Sequence, residues 1–150
     1  MPVHDLLALP PGSLLGLDLG TKTIGVAVSD PSGLIASPLE LIRKTKFTEE
    51  AERLFAIMAK RQAVGIVIGL PVNMDGTEGP RAQSARAFGR NLLRLRELDI
   101  AFWDERLSSS AVNKFLIGQD MTRARRAEVV DKTAAAWILQ GALDRMRAGA

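Results

Sequence analysis

Near the start of this 150-residue chain, apolar residues alternate one for one with small or polar ones. Leu15, Leu17 and Leu19 interleave with Gly16, Asp18 and Gly20, the period of two that places successive side chains on opposite faces of a strand. The pattern predicts a strand over residues 14–19. After a turn at residues 20–22 it resumes over 23–29, with Ile24, Val26 and Val28 on one face and Thr23, Gly25 and Ala27 on the other, so the two strands form a hairpin. A third strand is expected over 34–41, at an edge, because Pro38 cannot donate to a ladder.

From there the period lengthens to that of a helix. Thr48 is placed to cap a helix ending near Gln62, with Glu49 and Glu50 in its first turn and Ala51, Leu54, Phe55 and Met58 as its inner stripe. Residues 64–70 are almost continuously apolar, as in a strand covered on both faces, and lead into a turn-rich loop at 71–80. A second helix starts near Pro80, burying Ala85, Phe88, Leu92 and Leu95 and turning Arg86, Arg90 and Arg94 outward. A strand at 100–103, a short helix at 108–118 and a long helix at 123–146 complete the expected order.

Composition sets bounds. With 47% hydrophobic residues the chain supports one real core: a single domain at 13–150 behind a flexible N-terminal preface at 1–12. The absence of cysteine excludes a disulfide framework, a thiolate zinc site and a thiol nucleophile. Residues 1–13 lack the basic and apolar regions of a signal peptide, and no stretch reaches membrane-spanning length, so a cytoplasmic protein with no membrane partner is expected. Net charge is +3 but unevenly divided: residues 1–80 hold 7 basic and 9 acidic side chains, and residues 81–150 hold 13 and 8. A basic second half is compatible with a polyanionic partner, but on its own such an asymmetry more often marks a solvated face.

Three carboxylates stand where an ordinary surface acid would not. Asp18 shares its strand face with two glycines, leaving an open patch for a metal or phosphate. Glu105 follows the strand at 100–103 on the face of Ala101 and Trp103, at the mouth of the sheet. Asp131 falls in the inner stripe of the last helix with Ala124, Ala127, Ala134, Ala135, Ile138 and Ala142. Singly, each has a structural reading: a turn for Asp18, an ion pair with Arg106 for Glu105, pairing with Arg123, Arg125 or Arg126 for Asp131. Together, three inward acids repel unless a divalent cation neutralises them, and oxygen-only ligands favour Mg²⁺ or Mn²⁺ over zinc.

The chain resembles the YqgF/RuvX family, bacterial proteins with a ribonuclease H-like fold related to the RuvC junction resolvase. The carriers are GLDLGTKTIGVAVSD at 16–30, GLPVNMDGTEGPRAQ at 69–83, WDERLSS at 103–109 and VDKTAAAWILQG at 130–141, spanning nearly all of 13–146. The resemblance implies an α/β fold of three layers, a central mixed five-stranded sheet with helices on both faces. It also implies a metal-dependent phosphodiesterase whose catalytic and metal-binding acids are Asp18, Glu105 and Asp131, Asp18 bridging two Mg²⁺ or Mn²⁺ ions. Family members are described as nucleases for the 5′ end of precursor 16S ribosomal RNA, and have also been put forward as Holliday junction resolvases. Precursor rRNA, branched DNA and ribosomal particles are the partners implied. This sequence departs from the RuvC pattern in offering three acids, since Asp144 lies about 20 Å along the helix from Asp131.

Around these acids, Lys22, Asn73, Thr77, Arg81, Arg106, Arg123, Arg125 and Arg126 are the candidate nucleic-acid contacts. In the loop at 71–80, Asp75, Gly76 and Gly79 favour tight turns, and the helix beginning at Pro80 offers free N–H groups to a phosphate. Aromatic residues are few and look like core, so base stacking is not expected. Trp137 and the last helices are candidates for a homodimer contact. Two further classes stay open: a nonenzymatic RNA- or ribosome-binding module, and the actin-like ATPase superfamily, whose first phosphate loop DLGT at 18–21 resembles but whose two-domain clamp exceeds this length.

Overall fold

A computed structural model describes residues 6–107 and 123–149, with side chains described for 6–107 and 133–149. Strands β1 (Leu14–Leu19) and β2 (Thr23–Ser29) form the expected hairpin, paired antiparallel with Leu17 opposite Val26 and Asp18 opposite Gly25. Strand β3 (Ala36–Arg43) continues antiparallel at the edge, with a register shift between Val26 and Ala27 opposite Pro38. That irregularity accommodates a residue with no N–H to give. Strands β4 (Gly65–Leu70) and β5 (Ile100–Asp104) run parallel to β1, so the mixed sheet has the order β3-β2-β1-β4-β5.

The two faces carry separate cores. On one, Leu15, Leu17, Ile24, Val26, Ile66 and Ile68 pack against α1 (Phe47–Arg61) and α2 (Pro80–Leu95). On the other, Leu14, Ala27, Val67, Ala101 and Trp103 pack against α3 (Arg123–Gly149) through Ala135, Ile138, Leu139 and Ala142. Helices on both faces explain why β4 is buried at every position, as its unbroken apolar run requires. The three-layer α/β architecture is the one expected.

Several local expectations are corrected. Helix α1 begins at Phe47 after Lys46, so Thr48 lies inside the helix and is not its cap. Packing sets the boundary: the Phe47 ring meets Phe88 of α2 edge-on at 5.4 Å, and buried Glu50 reaches back to accept the Thr45 N–H at 2.9 Å. Leu95 is exposed in the last turn of α2 instead of buried. Arg86, expected to point into solvent, lies over the Phe102 ring at 5.1 Å and pairs with Glu78. Part of the segment expected to be a flexible preface is packed: residues 6–8 form a 3-10 turn, and Leu6 and Leu9 are buried in the α3-side core. The short helix expected at 108–118 lies outside the described residues.

The β2–β3 turn is held by one carboxylate. Asp30 accepts the N–H groups of Ile35 at 2.7 Å, Leu34 at 2.9 Å and Ser32 at 3.1 Å, and the Ser32 hydroxyl as well. From α3, Gln140 and Arg147 donate to the Leu34 carbonyl, tying the turn to the helix. The Ile35 N–H bond, then the Ser32 hydroxyl, favour the charged form and hold the Asp30 carboxyl at about 2, below its ordinary 3.8. A depressed carboxyl contributes stability that is complete above its unfolded value and is lost as pH falls toward the folded one. Urea midpoints measured between pH 5 and pH 2 are therefore expected to fall less for Asp30→Asn than for the wild type across that window, roughly pH 4 to pH 2. Parallel curves would refute the assignment.

Candidate active site

The site begins with the alternation in β1. Because Leu15, Leu17 and Leu19 face α1 and α2, Gly16 and Asp18 face α3. Asp18 is only 5% exposed, near the carboxyl end of the strand, and its antiparallel partner is Gly25. The register of β4 and β5 sets Gly69 opposite Trp103 on this same face, and Leu17 opposite Ile68 places Asp18 on the strand beside Gly69. Glu105, the residue after β5, opens a 3-10 turn over Glu105–Leu107.

Gly69 explains where the Glu105 side chain goes. A Cβ at position 69 would lie 3.1 Å from Glu105 Oε1 and 3.3 Å from its Cγ. The carboxylate thus leans from β5 across β4, toward the strand that carries Asp18. The same Cβ would lie 2.6 Å from Ile138 Cδ1 of α3, and a Cβ on Gly16 would lie 2.6 Å from Leu139 Cβ and 3.0 Å from the Ala135 carbonyl oxygen. Two bare positions on neighbouring strands therefore let α3 settle directly on the sheet, and one of them also admits the glutamate.

Asp131 belongs to α3, one turn before Ala135 and two before Ile138, so its helix is the one pressed against Gly16 and Gly69. Its side chain, like those of Arg123, Arg125 and Arg126, lies outside the described residues. Among the described residues no three His, Cys, Asp or Glu side chains are grouped to hold a metal. The described pair, Asp18 and Glu105, supplies hard oxygen donors on one face, a donor chemistry that fits Mg²⁺ or Mn²⁺. Asp144 is engaged elsewhere, with Arg147 and Gln140.

Arg106 is committed to structure. Its Nε and Nη2 bond the Asp104 carboxylate, at 3.1 and 2.7 Å, and its Nη1 reaches the carbonyls of Asn73 and Met74 at 3.3 and 3.4 Å. The pairing partner of Arg106 is thus Asp104, one residue before the glutamate that sequence adjacency suggested. The guanidinium holds the Asp104 carboxyl below its usual range. Within the loop, Thr77 Oγ1 donates to Asp75 and accepts from Asn73 Nδ2, and the Thr77 hydroxyl is the main cause of a lowered Asp75 carboxyl. Asn73 and Thr77 thereby brace the loop. Sequence reasoning missed Asp104 and Gly69 as parts of this arrangement, and it read Gly16 as leaving an open patch beside Asp18, whereas Leu139 and the Ala135 carbonyl of α3 fill that space. Only strand order brings Gly69 and Glu105 together.

Lys22 is exposed in the β1–β2 turn, and Arg81 extends from the first turn of α2 toward the end of β1, its Nη2 3.5 Å from the Leu19 carbonyl. The RuvX family model, described as a Holliday junction resolvase, matches residues 12–145. This chain belongs to the RuvX family. A relative from Phenylobacterium zucineum, named "Putative pre-16S rRNA nuclease", is 70% identical over 98% of this chain and 99% of its own length. One of the same name from Rhodospirillum rubrum is 62% identical over 97% and 94%. Among solved structures, Thermus thermophilus RuvC in complex with a Holliday junction substrate superposes with a TM-score of 0.56 at 12% identity, covering 91% of this chain and 96% of that one. The yeast mitochondrial Holliday junction resolvase gives 0.55 at 13%, covering 97% and 81%. At such identities the likeness establishes the shared ribonuclease H-like fold of this RuvX chain.

Two substitutions separate packing from site geometry. Gly16→Ala meets a backbone oxygen and should cost about 1–3 kcal/mol of stability by overpacking, read from urea unfolding. Gly69→Ala meets side-chain ends, Ile138 Cδ1 and Glu105 Oε1, and not backbone, so its main effect should be on cleavage through a displaced Glu105, with a smaller loss of stability. Equal stability losses with cleavage untouched by Gly69→Ala would contradict this geometry. For the loop, Arg106→Ala should speed amide exchange at Gly76 and Thr77 while the exchange of β4 stays unchanged, and unchanged loop exchange would count against the clamp.

Proposed function

We propose that this RuvX protein is a divalent-metal-dependent endonuclease that hydrolyses phosphodiester bonds in structured RNA, its substrate being the 5′ end of precursor 16S ribosomal RNA. The observation that carries the reading is the placement of two acidic residues, Asp18 of β1 and Glu105 of the turn after β5, on one face of the sheet where Gly69 makes room, beneath the helix that holds a third. Names borne by relatives at 60 to 70% identity over nearly the whole chain support the substrate. In this reading Asp18, Glu105 and Asp131 would hold Mg²⁺ or Mn²⁺, the hard cations that carboxylate oxygens favour.

When bound, such ions lower the pKa of an attacking water and stabilise the departing oxygen. The chain's own contribution is placement. Burial in the sheet fixes Asp18, Gly69 gives Glu105 its lane, and the Arg106 clamp sets the 71–80 loop beside the strand ends. Lys22, Arg81, Arg123, Arg125 and Arg126 supply positive charge for the nucleic-acid backbone, with Asn73 and Thr77 shaping the loop that borders it. The substrate is presented as free precursor or within a ribosomal particle. No described helix is long and apolar enough to cross a membrane.

A second reading has specific support: the family description and the RuvC-like structures point to junction resolution. One experiment separates the two. Wild type and Asp18→Asn are incubated with precursor 16S rRNA and with a four-way DNA junction, in Mg²⁺, Mn²⁺ or chelator. RNA cleavage that needs metal and falls about a thousandfold or more in Asp18→Asn is the expected result. Cleavage of the junction alone selects the resolvase, and RNA affinity with no cleavage of either selects a binding module.

A further inference from the structure

On the face of β1 opposite Asp18, the same strand end borders a cleft of about 210 Å³. Its floor is Leu19, Ala85 and Phe88, and its polar walls are Thr21, Lys44, Arg81 and Ser84. The backbone itself assembles the walls. The Lys44 N–H donates to the Lys22 carbonyl at 2.9 Å, fastening the end of β3 to the β1–β2 turn, while the first turn of α2 brings Arg81 and Ser84 from the other side.

Charge at this cleft is one-sided. Its lining includes two cations, Lys44 and Arg81, and no carboxylate, and Lys22 follows Thr21 in the adjoining turn. Two neighbouring acids are engaged elsewhere, Glu50 of α1 with the Thr45 amide and Glu78 of the 71–80 loop with Arg86. The volume is below the roughly 300–1,000 Å³ of pockets that enclose whole small molecules. It suits a single tetrahedral anion, for which the lining residues Arg81, Lys44, Thr21 and Ser84 offer charged and hydroxyl donors.

We propose that this cleft is a second phosphate site of the protein, holding a backbone phosphate of the bound nucleic acid that is not the one being cut. The strand then passes over the end of β1, with the scissile phosphate on the Asp18 side and a neighbouring phosphate anchored on the α2 side. The site fixes the register of the strand, since a phosphate contact positions the backbone without reading bases. The proposal deepens the nuclease reading and rests on it for the identity of the scissile side.

The test is binding, without turnover. In the Asp18→Asn background, affinity for a labelled structured RNA is measured across a range of salt for Lys44→Gln, Arg81→Gln and the control Lys60→Gln, an exposed cation of α1 outside the cleft. Each cleft substitution should weaken binding about fivefold or more and lower the salt slope by about 0.7 to 0.9, the loss of one phosphate contact. Inorganic phosphate alone should shift the Thr21 and Ser84 amide resonances, and this response should vanish when Lys44→Gln and Arg81→Gln are combined. Affinity and slope equal to those of Lys60→Gln would overturn the proposal and leave the cleft to an acidic protein partner or an adventitious ion only. Loss of RNA binding in the cleft variants, together with a wild type that cuts neither RNA nor junction, would uphold the cleft and reject the nuclease reading. Intact binding in those variants with cleavage that depends on Asp18 would do the reverse.

Discussion

Everything at the carboxyl end of the sheet depends on how closely α3 lies against β1 and β4. Gly16 and Gly69 leave no side chain between helix and sheet, and Leu139, Ile138 and the Ala135 carbonyl occupy the space a Cβ would need. That contact buries the α3-side core and at the same time leaves a lane for Glu105. A larger residue at either position would force a choice between packing and site geometry, because interiors at this density do not deform smoothly.

The surroundings of the acids are organised around that lane. Asp18 gains its position from a strand whose other face is wholly apolar, so it cannot rotate away without exposing Leu17 and Leu19. Arg106 stabilises the opposite flank by joining Asp104 to the loop carbonyls of residues 73 and 74, a charge-assisted clamp on an otherwise exposed loop. The catalytic proposal therefore rests on rigid elements for its acids and a braced loop beside them, the arrangement that lets charged groups be held ready before substrate arrives. The cleft across β1 extends the same design to the substrate backbone, with cations gathered on one side of the strand end and acids on the other.

Much of this was legible in the chain. Period-two alternation located β1 and β2 to the residue and singled out Asp18, and the apolar run of β4 announced a sheet covered on both faces. Helix ends were less legible because they are set by partners far away. Phe47 extends α1 past Thr48 to meet Phe88, and Arg86 turns back over Phe102. The residues 6–9 show the same lesson: two leucines with no evident period become core once α3 lies above them.

By itself the sequence determined the alternation of strands and helices, the faces on which Asp18 and Glu105 lie, and the surplus of positive charge. Those follow from local periodicity and composition, which need no distant partner. Strand order was decided only in three dimensions. Inserting β4 between β1 and β5 makes Gly69 the ground over which Glu105 leans and sets Arg106 against the loop carbonyls of Asn73 and Met74, while the packing of α2 beside the β1–β2 turn brings Lys44 and Arg81, 37 residues apart, to one cleft. Such proximities arise from pairing and packing between distant segments, and no local pattern encodes them.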